Sequence, residues 1–216
     1  MESVSGVGVL DKAVLVLRVL GRDAPLGLAE LQQATGLPRA TAHRLAVALE
    51  EHGLVRRDSA GRFCLGFELI AMGRAASESF PLAELARPAL LALRDATGES
   101  VQLFVREGDE RRCVVSLQST HGLRWIVPEG ARLPLGVGSA GRVLIGDGSL
   151  EWTESVEERE PGVASVSAPV AGKDGSLLAA VSVSGPVERM SRHPGKNFGG
   201  AVAHCARSLS AALAAS

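Results

Sequence analysis

The stretch that most constrains this 216-residue chain runs from Leu28 to Gly53. Leu28 to Ala34 has the apolar spacing of a short helix. Thr35-Gly36-Leu37 interrupts it, and Pro38 opens a second periodic run that reaches His52. Gly36 suits the positive φ of a tight turn, Pro38 a first helical position, and Gly53 the residue just past a helix end. Upstream, Leu10, Ala13, Val14, Leu17 and Leu20 recur at helical spacing. Gly21 is expected to stop that helix before the Asp23-Ala24-Pro25 turn. Downstream, two short apolar-edged runs within Leu54–Leu65 flank Asp58-Ser59-Ala60-Gly61, the pattern of a β-hairpin. Helix, glycine turn, helix and hairpin together predict a winged helix-turn-helix over residues 1–66.

Within the third helix, Ala42, Leu45, Ala46 and Leu49 share a face and are expected to pack inward. Arg39, Thr41, His43 and Arg44 fall in the first two turns, mostly off that face, where a recognition helix meets base edges. Arginine takes guanine O6 and N7 bidentately, and threonine reaches a phosphate or a thymine methyl. The hairpin adds Arg56, Arg57 and Arg62, suited to phosphates or a minor groove. Residues 39–62 hold five arginines against Glu50, Glu51 and Asp58, although the whole chain carries a formal net charge of −1 and only three lysines. Binding of nucleic acid by bulk charge is thereby excluded, but a small arginine reading head for double-stranded DNA is not. The same spacing also serves three-helix domains with a solvated arginine face and helix-turn-helix modules that bind proteins.

Residues 67–80 read as a linker helix ended by Pro81, and residues 81–216 as an α+β domain. Its expected elements are a helix over 82–96, strands over 100–106 and 112–118, and a strand over 123–127. A short helix follows Gly138-Ser139-Ala140-Gly141, and 150–159 reads as an acidic helix. Strands over 163–171 and 177–185 and a helix over 197–214 complete the domain, with the helices on one side of an antiparallel sheet. Taking Asp174-Gly175 as the centre of a two-residue turn pairs Ser167 with Ser182 and Ser165 with Ser184. Period two then puts four hydroxyls on one face and Val166, Ala168, Val170, Val181 and Val183 on the other. The serine face is either open to solvent or a ligand pocket. Ser139 is expected to cap the helix it precedes, whose free N–H groups suit a carboxylate. Trp125 belongs either to that pocket or to the core.

Aromatic residues make up 3% of the chain against 46% hydrophobic, so the core must be aliphatic. No apolar run approaches the ~18 residues of a membrane span, and no basic segment precedes a clean apolar one, so a soluble cytoplasmic protein is expected. Cys64, Cys113 and Cys205 are far apart with no CxxC, which indicates neither zinc nor a disulfide framework. His121 and His204 read as structural rather than metal ligands. GxSxG, HExxH and GxxxxGK[ST] are all missing, and GVGSAG follows no βαβ pattern. No cofactor and no catalysis are expected; a small hydrolase using the serine face is the alternative.

Several segments, in order, resemble the IclR family of bacterial transcription regulators. They are Leu28-Ala29-Glu30-Leu31, Thr35-Gly36-Leu37-Pro38, Thr41, Arg44-Leu45, Leu49-Glu50 and Gly53-Leu54-Val55, then Leu65-Gly66 at the linker. The C-terminal part adds Thr97-Gly98-Glu99-Ser100-Val101, Gly130-Ala131-Arg132-Leu133-Pro134-Leu135, Gly138 to Leu144, Ser167-Ala168-Pro169-Val170 and Ala180 to Pro186. The resemblance covers nearly the whole chain. It implies a DNA-binding homodimer or dimer of dimers whose GAF/profilin-like domain takes a small metabolite, a carboxylate or amino-acid-related effector. It adds Leu133, Gly138, Ser139, Ala140 and Gly141 to Ser165, Ser167, Ser182 and Ser184 as effector-binding residues. Effector binding would alter half-site spacing through residues 67–80. The chain departs from the family between Leu144 and Val163, which is short, and at Gly136, where a bulkier residue is common. Its short form and Arg/Ala-rich composition are similar to members from high-GC bacteria that regulate amino-acid biosynthesis, leucine genes included, which implies a repressor of such genes.

Overall fold

The computed structural model describes residues 7–79 and 82–215, in two compact units, Met1–Phe80 and Pro81–Ser216. The first unit contains α1 (Gly8–Asp23), α2 (Leu28–Thr35), α3 (Arg39–Glu51), β1 (Val55–Arg57), β2 (Phe63–Leu65) and α4 (Glu68–Ser79). Each junction has a local cause. Glu30 Oε2 accepts the Gly27 N–H at 2.7 Å and starts α2. Gly36, at φ +66°, ends it by donating to the Gln32 carbonyl at 2.9 Å. A Cβ on Gly66 would overlap the Gly53 carbonyl, so only glycine lets the hairpin close on the end of α3. Val16, Leu20, Leu31, Ala46, Val55 and Phe63 meet in the core beneath. Contrary to expectation, α1 does not stop at Gly21 but continues to Asp23. A helical glycine costs about 1 kcal/mol relative to alanine, less than burying Val19 and Leu20 beside it returns. Pro81, expected to end the linker helix, lies outside the described residues.

The second unit runs α5 (Leu82–Thr97), β3 (Ser100–Glu107), β4 (Glu110–Leu117), β5 (Arg132–Pro134), α6 (Ser139–Ile145), β6 (Thr153–Val156), β7 (Val163–Ala171), β8 (Leu177–Pro186), α7 (Val187–Met190) and α8 (Pro194–Ala215). Its antiparallel sheet has the order β5-β4-β3-β8-β7-β6. Val101, Leu103, Val166, Val181 and Val183 point to one face, against α5 and α8. Phe104, Cys113 and Ala180 point to the other, against Val143 and Leu144 of α6. Helices therefore cover both faces rather than one.

Two expected elements are different structures. Residues 123–127 form no strand, because the edge of β4 is taken by β5, with Arg111 opposite Leu133. The acidic stretch 150–159 is not a helix but contributes β6, with Ser155 opposite Ser165 of β7. There Trp152 lies against α8 at Gly195 and Gly199, where any side chain would overlap its ring. The β7–β8 connection is also longer than a two-residue turn. A bulge between Val170 and Ala171 leaves Gly172–Ser176 as the loop, closed by the Gly172 N–H on the Ser176 carbonyl at 2.8 Å. The expected register nevertheless holds up to Val170, opposite Ala179.

Burial pushes the thiols of Cys113 and Cys205 up to about 12 and 11, so both are packing residues rather than nucleophiles. Leu90 of α5 is fully buried against the sheet. Leu90→Ala is expected to cost about 2–5 kcal/mol, read as lost amide-exchange protection in β3 and β8. Unchanged protection would place α5 outside the core.

Candidate functional site

On α3, Arg39, His43 and Arg44 are exposed and Thr41 is half-buried, while Ala42, Leu45, Ala46 and Leu49 face the core. Arg39 and Arg44 form no ion pair among the described residues. The wing arginines differ from one another. Arg57 Nε lies 3.1 Å from Glu50 Oε2, and its guanidinium covers the Phe63 ring at 4.4 Å. Arg62 pairs with Asp58 at 2.8 Å, and hydrogen bonds from the Arg62 backbone and side chain hold the Asp58 carboxyl below its ordinary range. Arg56 lies over Phe67 at 5.0 Å. The exposed cations on α3 are thus unpaired, whereas Arg57 and Arg62 are tied into the hairpin.

The four sheet serines share a face, as the register requires, but it is not an open one: Ser167, Ser182 and Ser184 are buried and Ser165 is half-buried. Ser167 Oγ donates to Ser182 Oγ at 2.9 Å. Ser139 Oγ lies 2.7 Å from Ser165 Oγ and 2.8 Å from Ser167 Oγ. Ser184 Oγ donates to Gln102 Oε1 at 2.9 Å. The hydroxyl of Ser139 therefore binds the sheet and does not cap α6; Gly138, at φ +82°, occupies the cap position. Two N–H groups at the start of α6 are already taken. That of Ser139 donates to Ser155 Oγ at 3.1 Å and that of Gly138 to Glu158 Oε2 at 3.1 Å. The carboxylate expected at this helix end is one of the chain's own.

A narrow cavity remains between the serine face and α6, with open space of about 30 Å³, room for only about two water molecules. Leu133, Gly138, Ser139, Ala140, Ser165, Ser182 and Ser184 line it; Ser167 and Gly141 lie behind the lining. Gly141 allows close approach, since a Cβ there would overlap the Leu135 carbonyl and lie 2.6 Å from Arg111 Nη1. Sequence reasoning missed Gln102, Arg111 and Ser155 as lining residues; Trp125 joins them from a loop. Alternation about Gln102, between Val101 and Leu103, was the one available signal.

Comparison with known proteins places both units. The IclR helix-turn-helix domain matches residues 9–59, and the bacterial transcriptional regulator IclR C-terminal domain matches 74–149 and 149–211. The chain is 25% identical to the HTH-type transcriptional regulator KipR of Bacillus subtilis, over 81% of this chain and 84% of that one. It is 31% identical to the DNA-binding transcriptional repressor YiaJ of Escherichia coli, over 73% and 57%. A transcriptional regulator of Rhodococcus has the same fold, with a TM-score of 0.78 at 24% identity over 97% and 99% of the two chains. So does an IclR homologue of Microbacterium hydrocarbonoxydans solved with 4-hydroxybenzoate, with a TM-score of 0.80 at 19% identity over 96% and 100%.

Because Ser167 joins Ser139 and Ser182, Ser167→Ala leaves two buried hydroxyls short of a partner. The expected loss is about 1–3 kcal/mol in denaturant unfolding. A variant as stable as the parent would show that the network contributes nothing to the fold.

Proposed function

The chain belongs to the IclR family of bacterial transcription regulators, and from that membership we propose that it reads a double-stranded operator with α3 and the β1–β2 wing and answers to a small-molecule effector held in the serine-lined cavity. Members of this family are regulators and not enzymes. The carrying observation for DNA is the exposed face of α3, where Arg39, His43 and Arg44 stand outward and the two arginines lack an ion pair among the described residues. Thr41 and Arg56 flank them, and Arg57 and Arg62 are assigned to shaping the wing and to phosphate contact.

The effector-binding residues in this reading are Leu133, Gly138, Ser139, Ala140, Gly141, Ser165, Ser167, Ser182 and Ser184. A small carboxylate or amino-acid-related effector is favoured, in keeping with the 4-hydroxybenzoate held by the Microbacterium homologue. Self-association as a homodimer is supported by exposed apolar side chains on α1 (Val9, Leu10), at Phe67 just before α4, and on α4 (Ile70, Met72). Among the described residues no helix is long and apolar enough to cross a membrane. An operator-binding protein works in the cytoplasm. Repression of amino-acid biosynthesis genes rests on the short form and the composition alone.

Two measurements test this reading. With the intergenic DNA beside its own gene at fixed salt, Arg44→Ala should weaken binding about 10- to 100-fold, the size of a lost base contact. Arg62→Ala, which removes a phosphate contact rather than a base contact, should weaken it less than Arg44→Ala and to the same extent on unrelated DNA. Equal affinity for Arg44→Ala and the parent removes α3 as the reading head. In a thermal-shift screen of amino acids and 2-oxo acids, an effector present at a hundred times its Kd stabilises the protein by about 2.7 kcal/mol. The shift should shrink in Ser182→Ala, and a shift that survives intact removes the serine face from the site.

A further inference from the structure

Three buried side-chain donors have no acceptor among the described residues: Gln102 Nε2, Arg111 Nε and Trp125 Nε1. They come from β3, β4 and the segment between β4 and β5, yet all three line the one cavity. Turning the Gln102 amide over would let Nε2 donate to Ser184 Oγ but would put Oε1 in its place, so one end of the amide lacks a partner among the described residues either way. Arg111 is 3% exposed. Its Nη1 is engaged by the carbonyls of Pro134 and, at 2.8 Å, of Val137, which leaves the Nε–Nη2 edge. That edge presents two parallel N–H groups at the spacing of two carboxylate oxygens.

No carboxylate of the chain pairs with Arg111 among the described residues. Glu158, which also lines the cavity, is committed to Arg142 Nη1 at 2.6 Å and to the Gly138 N–H. Glu160 lines the rim and is exposed. Arg159, half-buried over the Trp125 ring at 4.7 Å, adds a second positive charge. Burial, and then the charge of Arg159, push Arg111 down to about 10, so it remains a cation at neutral pH. A buried cation without a counter-ion is costly, and so is a buried donor without an acceptor.

We propose that Arg111 is the anchor of the effector, its Nε–Nη2 edge taking a carboxylate while the Gln102 and Trp125 N–H groups donate to that carboxylate or to an adjacent acceptor oxygen. The effector class is a compact carboxylate carrying few donors, bound at the Arg111 wall, while at the start of α6 the Gly138 and Ser139 N–H groups are held by Glu158 and Ser155. The small free space requires the cavity wall to move as the ligand enters. This assignment rests on the cavity being the effector site.

The test uses the full chain with Trp152→Phe, which leaves Trp125 the sole tryptophan. Its fluorescence is titrated with pyruvate, lactate and benzoate, each against its amide: pyruvamide, lactamide and benzamide. At least one carboxylate should bind ten times or more as tightly as its amide. Arg111→Gln should remove that preference by weakening the carboxylate alone, and Arg111→Lys, which keeps the charge without the fork, should restore part of it. Should Arg111→Gln fail to fold by circular dichroism, the carboxylate–amide ratio in the parent decides. Amides that bind as tightly as their acids, or a preference that survives Arg111→Gln, overturn the anchor and leave the cavity an effector site. Silence towards all six compounds overturns both.

Discussion

In the C-terminal unit everything depends on the register of β7 against β8. Val166 lies opposite Val183 and Ser167 opposite Ser182, so each pair of neighbours sends a methyl-rich contact to one side and a hydroxyl contact to the other. A slip of one residue would carry the serines into the layer beneath α8 and the valines towards α6. Neither layer would accept the exchange, since one is aliphatic and the other is built on the oxygens of Ser139, Ser155 and Ser165. The bulge at Ala171 falls beyond the last such pair, beside the Gly172–Ser176 loop, so it shapes the loop without disturbing the register up to Val170.

The parts legible in the sequence are those specified by neighbours in the chain. The helix-turn-helix is written in Gly36, Pro38 and Gly53, and the serine face follows from period two once one turn is placed. What escaped depends on contacts far apart in sequence. Residues 150–159 look helical by charge, yet become a strand because β7 offers them an open edge and α8 offers Trp152 a seat. Arg111 is the sharper case. By alternation it stands in phase with Cys113, Val115 and Leu117, on the aliphatic face. In the structure Leu103 pairs with Val115 and Phe104 with Cys113, which leaves Val114 as an extra residue. That bulge reverses the phase, so Cys113 joins the α6 layer and Arg111 reaches the cavity. Nothing local in the sequence marks a bulge at Val114.

The scarcity of lysine has a structural counterpart. Arg57 lies on Phe63 while bonding Glu50, Arg62 grips the Asp58 turn, and Arg111 holds the carbonyls of Pro134 and Val137 with one nitrogen. A planar, many-donor cation does each of these where an ammonium would not. The same chemistry therefore builds the wing and lines the cavity. Exposure and pairing, rather than residue type, separate the arginines that shape the protein from those left to meet a partner.

The polar layer under α6 sorts itself in a related way. A hydroxyl both donates and accepts, so the chain from Ser155 through Ser165, Ser139 and Ser167 to Ser182 can satisfy itself by rotating its hydrogens. The guanidinium of Arg111 and the indole N–H of Trp125 only donate, and Ser184 satisfies one end of the Gln102 amide and leaves the other without a partner among the described residues. Rotation cannot balance such a set, because its deficit is in acceptors. The serines are therefore sufficient as structure, while Arg111 Nε and Trp125 Nε1 find no acceptor among the described residues. The sign of the imbalance agrees with the ligand proposed for the cavity, one rich in acceptors and, beside the Arg111 guanidinium, negatively charged.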